Sequence, residues 1–194
     1  MMGFETETTE AERTTSLGAC APHADTPRIY VACLASYNNG CLFGRWIEVQ
    51  EDEAALRSEV CAMLHASPEP AAEEWAIHDF DGFHGIEVRE YDSFSHVVKL
   101  AGFAEEHGKL GAEVLSYYGG DLEDARTALE DRYAGAFESL TDFAEEVASE
   151  HFAYVHDSMK NYIDYEAIGR DMALSGDIIT FDLAHDDVRV FWAQ

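Results

Sequence analysis

The spacing of apolar positions changes several times along the chain, and each change marks an element. Residues 28–36, RIYVACLAS, form a short apolar run of strand length. Tyr37, Asn38, Asn39 and Gly40 follow as a turn, Asn-Gly being a strong hairpin signal, and residues 42–49 read as the returning strand. Leu56, Val60 and Leu64 then recur at helical spacing, with Glu51, Asp52 and Glu53 where the dipole of a first turn favours acids. Residues 75–80, WAIHDF, read as a third strand.

The middle of the chain is helical. Phe94, Val97, Val98, Ala101 and Phe103 mark one segment, which Gly108 interrupts; Leu110, Val114, Leu115 and Tyr118 mark the next, which Gly119 and Gly120 stop. Asp121 is placed as the N-cap of a third helix that turns Leu122, Ala125 and Leu129 inward. Tyr133–Phe137 reads as a strand, and Ser139 to Asp142 as a capping box opening a helix with Leu140, Phe143, Val147 and Ala148 inward. A further helix over 162–174 is stopped by Gly176, and residues 177–183 and 188–192 read as two closing strands. The fold class is α+β, as three small units in an elongated row. Residues 28–91 form an N-terminal α+β unit, 92–131 a helical middle unit and 132–194 a C-terminal α+β unit. Residues 1–27 precede them as a flexible extension. Trp46, Trp75 and Trp192 are expected as core anchors.

Charge then narrows the function. Of 194 residues, 39 are Asp or Glu and 12 are Lys or Arg, a formal net charge of −27. With 47% hydrophobic residues the chain can still build cores, so wholesale disorder is excluded. So large an excess of one sign repels itself across the folded surface. Direct binding to nucleic acid or to an anionic membrane needs a basic footprint, which is missing; a basic protein surface is the natural partner. Cys20, Cys33, Cys41 and Cys61 form no CxxC pair and read as reduced thiols in a cytoplasmic protein. No window has the pattern of a signal peptide or a membrane span.

The search for catalytic chemistry is negative. GxSxG, P-loop, GxGxxG and HExxH patterns are all missing. The best metal candidate is His78, Asp79, Asp81 and His84, but on a strand the two His face one side and the two Asp the other. No cofactor, metal site or enzymatic activity is expected.

Three separated motifs carry a resemblance. IYVACLASYNNGCLFGRWIEV with EEWAIHDFDGF, then AEEHGKLGAEVLSYYGGDLEDA, then NYIDYEAIGRDMALSGDIITFDLAHDDVRVFW together resemble the ArdA antirestriction family, from about residue 28 to residue 192. The extension before Arg28 departs from the family pattern. The resemblance implies a non-catalytic inhibitor of type I restriction–modification enzymes, carried by mobile genetic elements. It also implies an elongated homodimer whose carboxylates imitate bent B-form DNA in the groove of the target's methyltransferase core. The alternative reading is a salt-adapted or cation-binding acidic module with no such mimicry.

On this reading the DNA-mimic acids are Glu105, Glu106, Glu113, Asp121, Glu123, Asp124, Glu130, Asp131, Glu145 and Glu146, set on helix faces at i, i+3 and i+4 spacings. Tyr133 and Phe137, on a short apolar edge, are placed at the dimer contact. Two chains of −27 carry −54, the charge of about 90 Å of duplex, or roughly 27 base pairs, at one charge per ~1.7 Å.

Overall fold

The computed structural model describes residues 26–193, apart from Ala71 and the side chain of Glu150. Most of the expected extension therefore lies outside the described residues. Its last residue does not belong to an extension: the Pro27 side chain is fully buried, and its carbonyl accepts a hydrogen bond from the Val49 amide at 2.8 Å.

The fold is α+β. In chain order it has β1 (Arg28–Cys33), α1 (Leu34–Asn38), β2 (Gly44–Glu48), α2 (Glu53–His65), β3 (Trp75–Asp81), α3 (Phe94–Tyr117) and α4 (Leu122–Thr127). A π-helical turn, Ala128–Arg132, leads into β4 (Tyr133–Phe137), α5 (Leu140–His151), α6 (Asp157–Lys160), α7 (Tyr165–Ser175), β5 (Ile178–Ala184) and β6 (Asp187–Trp192). There are two antiparallel sheets of three strands, ordered β2-β1-β3 and β4-β6-β5.

The hairpin between β1 and β2 exists, with Arg28 opposite Glu48 and Ala32 opposite Gly44. Its reversal differs from the expected strand-turn-strand. Residues 34–38 form a helical turn instead of extending β1. Ser36 is fully buried there and its hydroxyl lies 3.0 Å from that of Ser67, a partner no local pattern announces. Gly44 is required, since a Cβ would come within 2.3 Å of the Val31 carbonyl oxygen on the paired strand.

Caps define the helices. Asp52 accepts from the Ala54 amide, Ser93 from His96, Asp164 from Ala167, and the Ser139 hydroxyl both accepts from the Asp142 amide and donates to its carboxylate at 2.6 Å. Because Asp164 is the cap, α7 starts at Tyr165, three residues later than the apolar pattern suggests. The break expected at Gly108 is present as a kink inside α3, with φ 54° and ψ −142°, values that suit glycine.

Most buried side chains form one cluster. It runs from Ile29, Val31 and Ile77 of the first sheet through Val97, Phe103 and Val114 of α3 to Ala125, Ala128 and Phe191. A smaller cluster gathers around Phe143, Ile178 and Val190. Trp75 stacks on Phe94 at 4.4 Å between ring centres. Trp46 and Trp192 are not core anchors: each keeps more than a third of its surface exposed, Trp46 edge-on to Tyr30 beneath Arg28, and Trp192 beside Phe143.

Candidate functional site: the acidic surface

Five of the 39 acids and one of the 12 cations fall in residues 1–25, which leaves 34 acids and 11 cations in the rest of the chain. Among the described residues, seven Lys or Arg side chains pair with carboxylates: Arg28, Arg45, Arg57, Arg126, Lys160, Arg170 and Arg189. Most of the cations are thus paired within the fold, and most carboxylates have no ion pair among the described residues.

The ten carboxylates singled out from the sequence are all exposed. They are not equivalent. Asp121 caps α4, one carboxylate oxygen accepting from the Glu123 amide at 2.9 Å and the Asp124 amide at 3.1 Å. Glu106 is bound by Arg126 at 3.0 Å, while the same guanidinium lies over the ring of Phe103. Glu105, Glu113, Glu123, Asp124, Glu130, Asp131, Glu145 and Glu146 make no ion pair among the described residues. Glu123 and Asp124 occupy the first turn of α4, where the helix dipole favours them.

The rows of acids are not those of one regular helix. The kink at Gly108 lies between Glu106 and Glu113, and Glu130 and Asp131 sit in the π-helical turn instead of continuing α4. A π-turn adds a residue to the local repeat, so the seven-residue spacing from Glu123 to Glu130 does not place them on one straight row. The carboxylates instead follow a path that bends with the backbone through α3, α4, the π-turn and α5.

His107 was not singled out by sequence. Its ring packs on Phe103 at 4.7 Å, and its Nε2, with Glu106 Oε2 3.5 Å away, has no hydrogen-bond partner among the described residues. Burial holds it neutral and lowers its pKa below the usual 6.5, against the opposing pull of Glu106. The hydrogen bond from Arg189 holds Asp187 below the usual carboxylate range, with a lesser contribution from Lys109. Arg28 does the same for Asp81.

Tyr133 and Phe137 lie on β4, an edge strand. Their side chains have intramolecular roles. Tyr133 packs on Phe191 at 5.1 Å and its hydroxyl accepts from Arg189 at 3.1 Å; Phe137 packs on Phe143 at 5.2 Å. Tyr133 is nonetheless exposed, and the outer edge of β4 has no strand partner among the described residues.

Of His78, Asp79, Asp81 and His84, the first three lie on β3, where the pairing with β1 shifts register beside His78, and His84 lies beyond the strand in a turn at φ 54°, so the set does not share the regular strand alternation expected of it. His78 lies edge-on to Tyr37 and Asp81 is held by Arg28. Among the described residues, no three His, Cys, Asp or Glu side chains are grouped to hold a metal ion, and no helix is long and apolar enough to cross a membrane. Cys33 is buried and Cys41 and Cys61 are exposed, all as free thiols; Cys20 lies outside the described residues.

A family model described as antirestriction protein (ArdA) matches residues 29–186, well over half of the chain. A comparison with curated proteins gives no match.

Proposed function

The chain belongs to the ArdA family of antirestriction proteins, and on that premise we propose that it inhibits by occupying the DNA-binding groove of a type I restriction–modification enzyme. Carboxylates stand in for phosphates against the methyltransferase core. The observation that supports this most is the run of exposed carboxylates from Glu105 to Glu146, of which only Glu106 has an arginine or lysine partner among the described residues, set on capped and kinked helices. A basic groove attracts such a surface by long-range complementarity, and association releases the counterions that the two surfaces hold when apart. The units 28–91, 92–131 and 132–194 extend this surface, and pairing of two β4 edges into a homodimer doubles it. The protein needs no cofactor for this, catalyses nothing and acts in the cytoplasm.

The physical advantage over DNA is preorganisation. Bending 20–30 base pairs into a curved groove costs about 1–6 kcal/mol. A folded scaffold that already has the bend avoids that cost and competes without a larger charge. The test is a titration of the protein into a type I methyltransferase bound to a labelled duplex, at low and high salt. Stoichiometric displacement that weakens as salt rises is the expected outcome. A folded protein that leaves DNA bound at low salt would remove the mimicry reading and bring forward a salt-adapted or cation-binding module.

A further inference from the structure

Lys109 stands in the acid-rich stretch between Glu106 and Glu113, yet among the described residues it makes no ion pair with a carboxylate, and the one whose pKa it helps lower, Asp187, is in the C-terminal sheet. Its Nζ donates instead to the backbone carbonyl of Leu183, 2.6 Å away and 74 residues on in sequence. The kink at Gly108 immediately precedes it and sets the direction of the second half of α3. Leu183 lies near the far end of β5.

A second attachment joins the same two bodies. Tyr117, at the end of α3, meets Phe181 of β5 edge-on at 5.9 Å, and Phe181 meets Phe191 at 5.5 Å. Phe191 in turn belongs to the main core. An apolar contact of this kind resists separation but leaves rotation about itself weakly restrained. Leu183 is two residues beyond Phe181, about 6–7 Å further along an extended strand. A bond at that distance from the pivot resists rotation of the C-terminal sheet against α3.

We infer that Lys109 is a positioning residue: by clasping the Leu183 carbonyl it fixes the angle between the acidic helices and the C-terminal sheet, and so the curve along which the carboxylates are presented. The consequence for inhibition rests on the DNA-mimic reading; the clasp itself does not. Loss of the clasp spreads the angle over more orientations. Apparent affinity then falls by the fraction of molecules that retain the fitting one.

Charge and geometry make opposite predictions here. Removing a lysine from an anionic inhibitor makes it more negative, so charge alone predicts equal or tighter binding to a basic groove. The clasp predicts weaker binding. Lys109→Met removes the donor and keeps most of the aliphatic stem, and Lys109→Gln removes the charge and leaves an amide donor one bond shorter than the clasp needs; one folded variant is enough. Lys99→Gln is the control, since Lys99 is exposed on the same helix and has no ion pair or hydrogen bond among the described residues. Lys109→Arg restores a donor.

The measurements are displacement of labelled duplex from the methyltransferase and small-angle scattering of the free protein. Expected are a weakening of about five- to tenfold for the Gln and Met variants, recovery with Arg and no loss in Lys99→Gln. Scattering should broaden for the Gln and Met variants only. Unchanged scattering in a folded Lys109→Gln protein, or equal displacement by Lys109→Gln and Lys99→Gln, would overturn the inference. If the wild type displaces no DNA, the mimicry reading fails by itself, and the scattering comparison still decides the clasp.

Discussion

Asp121 separates the charge of the acidic surface from its architecture. Its carboxylate is both a surface anion and the cap of α4, accepting from two amides at 2.9 and 3.1 Å. Asp121→Ala removes both roles. Loss of an N-cap oxygen costs about 1 kcal/mol, within a range of about 0.5–2. For a protein of this length that lowers the melting temperature by roughly 2–4 °C per kcal/mol. Asp121→Asn removes the charge and keeps an acceptor of nearly equal capping strength. It forfeits only the attraction of an anion to the helix terminus, about 0.3–1 kcal/mol at an exposed site and less in salt. In moderate salt the Asn variant should therefore lose less than half of what the Ala variant loses, as read by circular dichroism melts. In DNA displacement, the Asn variant should shift the half-point by less than about fivefold, because one exposed ion pair contributes about 0.2–1 kcal/mol. Equal melting losses for Asn and Ala would show that the capping geometry does not stabilise α4. A loss of inhibition in the Asn variant much larger than about fivefold, with melting unchanged, would refute the view that charge is shared over many acids.

Shared charge also predicts that Glu123→Gln with Asp124→Asn leaves most inhibition intact, whereas neutralising the eight of the ten acids that neither form an ion pair nor cap a helix abolishes displacement of DNA; a full loss from the double variant would contradict this. Ala136 is exposed on the β4 edge, so Ala136→Glu should convert a dimer into a monomer of 21.6 kDa by multi-angle light scattering, since a charge on an edge strand opposes pairing; a dimer that survives the change would place the contact elsewhere. His107 titrates in the opposite sense to a paired histidine: its folded pKa lies below the usual 6.5, so the unfolded chain takes up the proton first. The stability it contributes is complete above pH 6.5 and is lost as pH falls below that value toward the folded pKa. Urea midpoints at pH 7.5 and 5.5 should fall further for the wild type than for His107→Phe, and equal changes would remove His107 as the cause.

Much of the fold was legible because the local signals agreed with one another. Asp121, Ser139, Gly108 and Gly176 each act by their own short-range chemistry: Asp121 and Ser139 open helices, Gly176 ends one and Gly108 kinks α3, each where the pattern placed it. The exceptions share one cause. Leu34 to Asn38 fits a strand or a helical turn equally well, and what decides is the bond between Ser36 and Ser67, 31 residues apart. Trp46 and Trp192 carry the hydrophobicity of core residues, but both end at sheet positions that nothing covers completely. The four-residue helix α6 has too few positions to show a period.

The acidic surface divides in the same way. Exposure of the ten carboxylates followed from helical periodicity, because the apolar residues claim the inner face and leave the acids outside. What each acid is free to do did not follow, since it depends on contacts between distant segments. Arg126 reaches back 20 residues to hold Glu106, and Lys109 reaches forward 74 to a carbonyl instead of neutralising an acid beside it. Both choices leave the other carboxylates of the path without chain cations. With 34 acids and 11 cations from residue 26 onward, pairing every cation locally would still leave a large negative excess, so net charge alone does not explain where the cations sit. Four of them join separate elements: Arg28 ties β1 to β3, Arg45 ties β2 to α2, Arg126 holds Glu106 over the Phe103 ring and Lys109 reaches β5, whereas Arg57, Lys160, Arg170 and Arg189 pair with carboxylates within their own segments. A surface that merely needed solubility would be indifferent to that arrangement. A surface that has to present anions along a fixed curve needs its few cations at the joints.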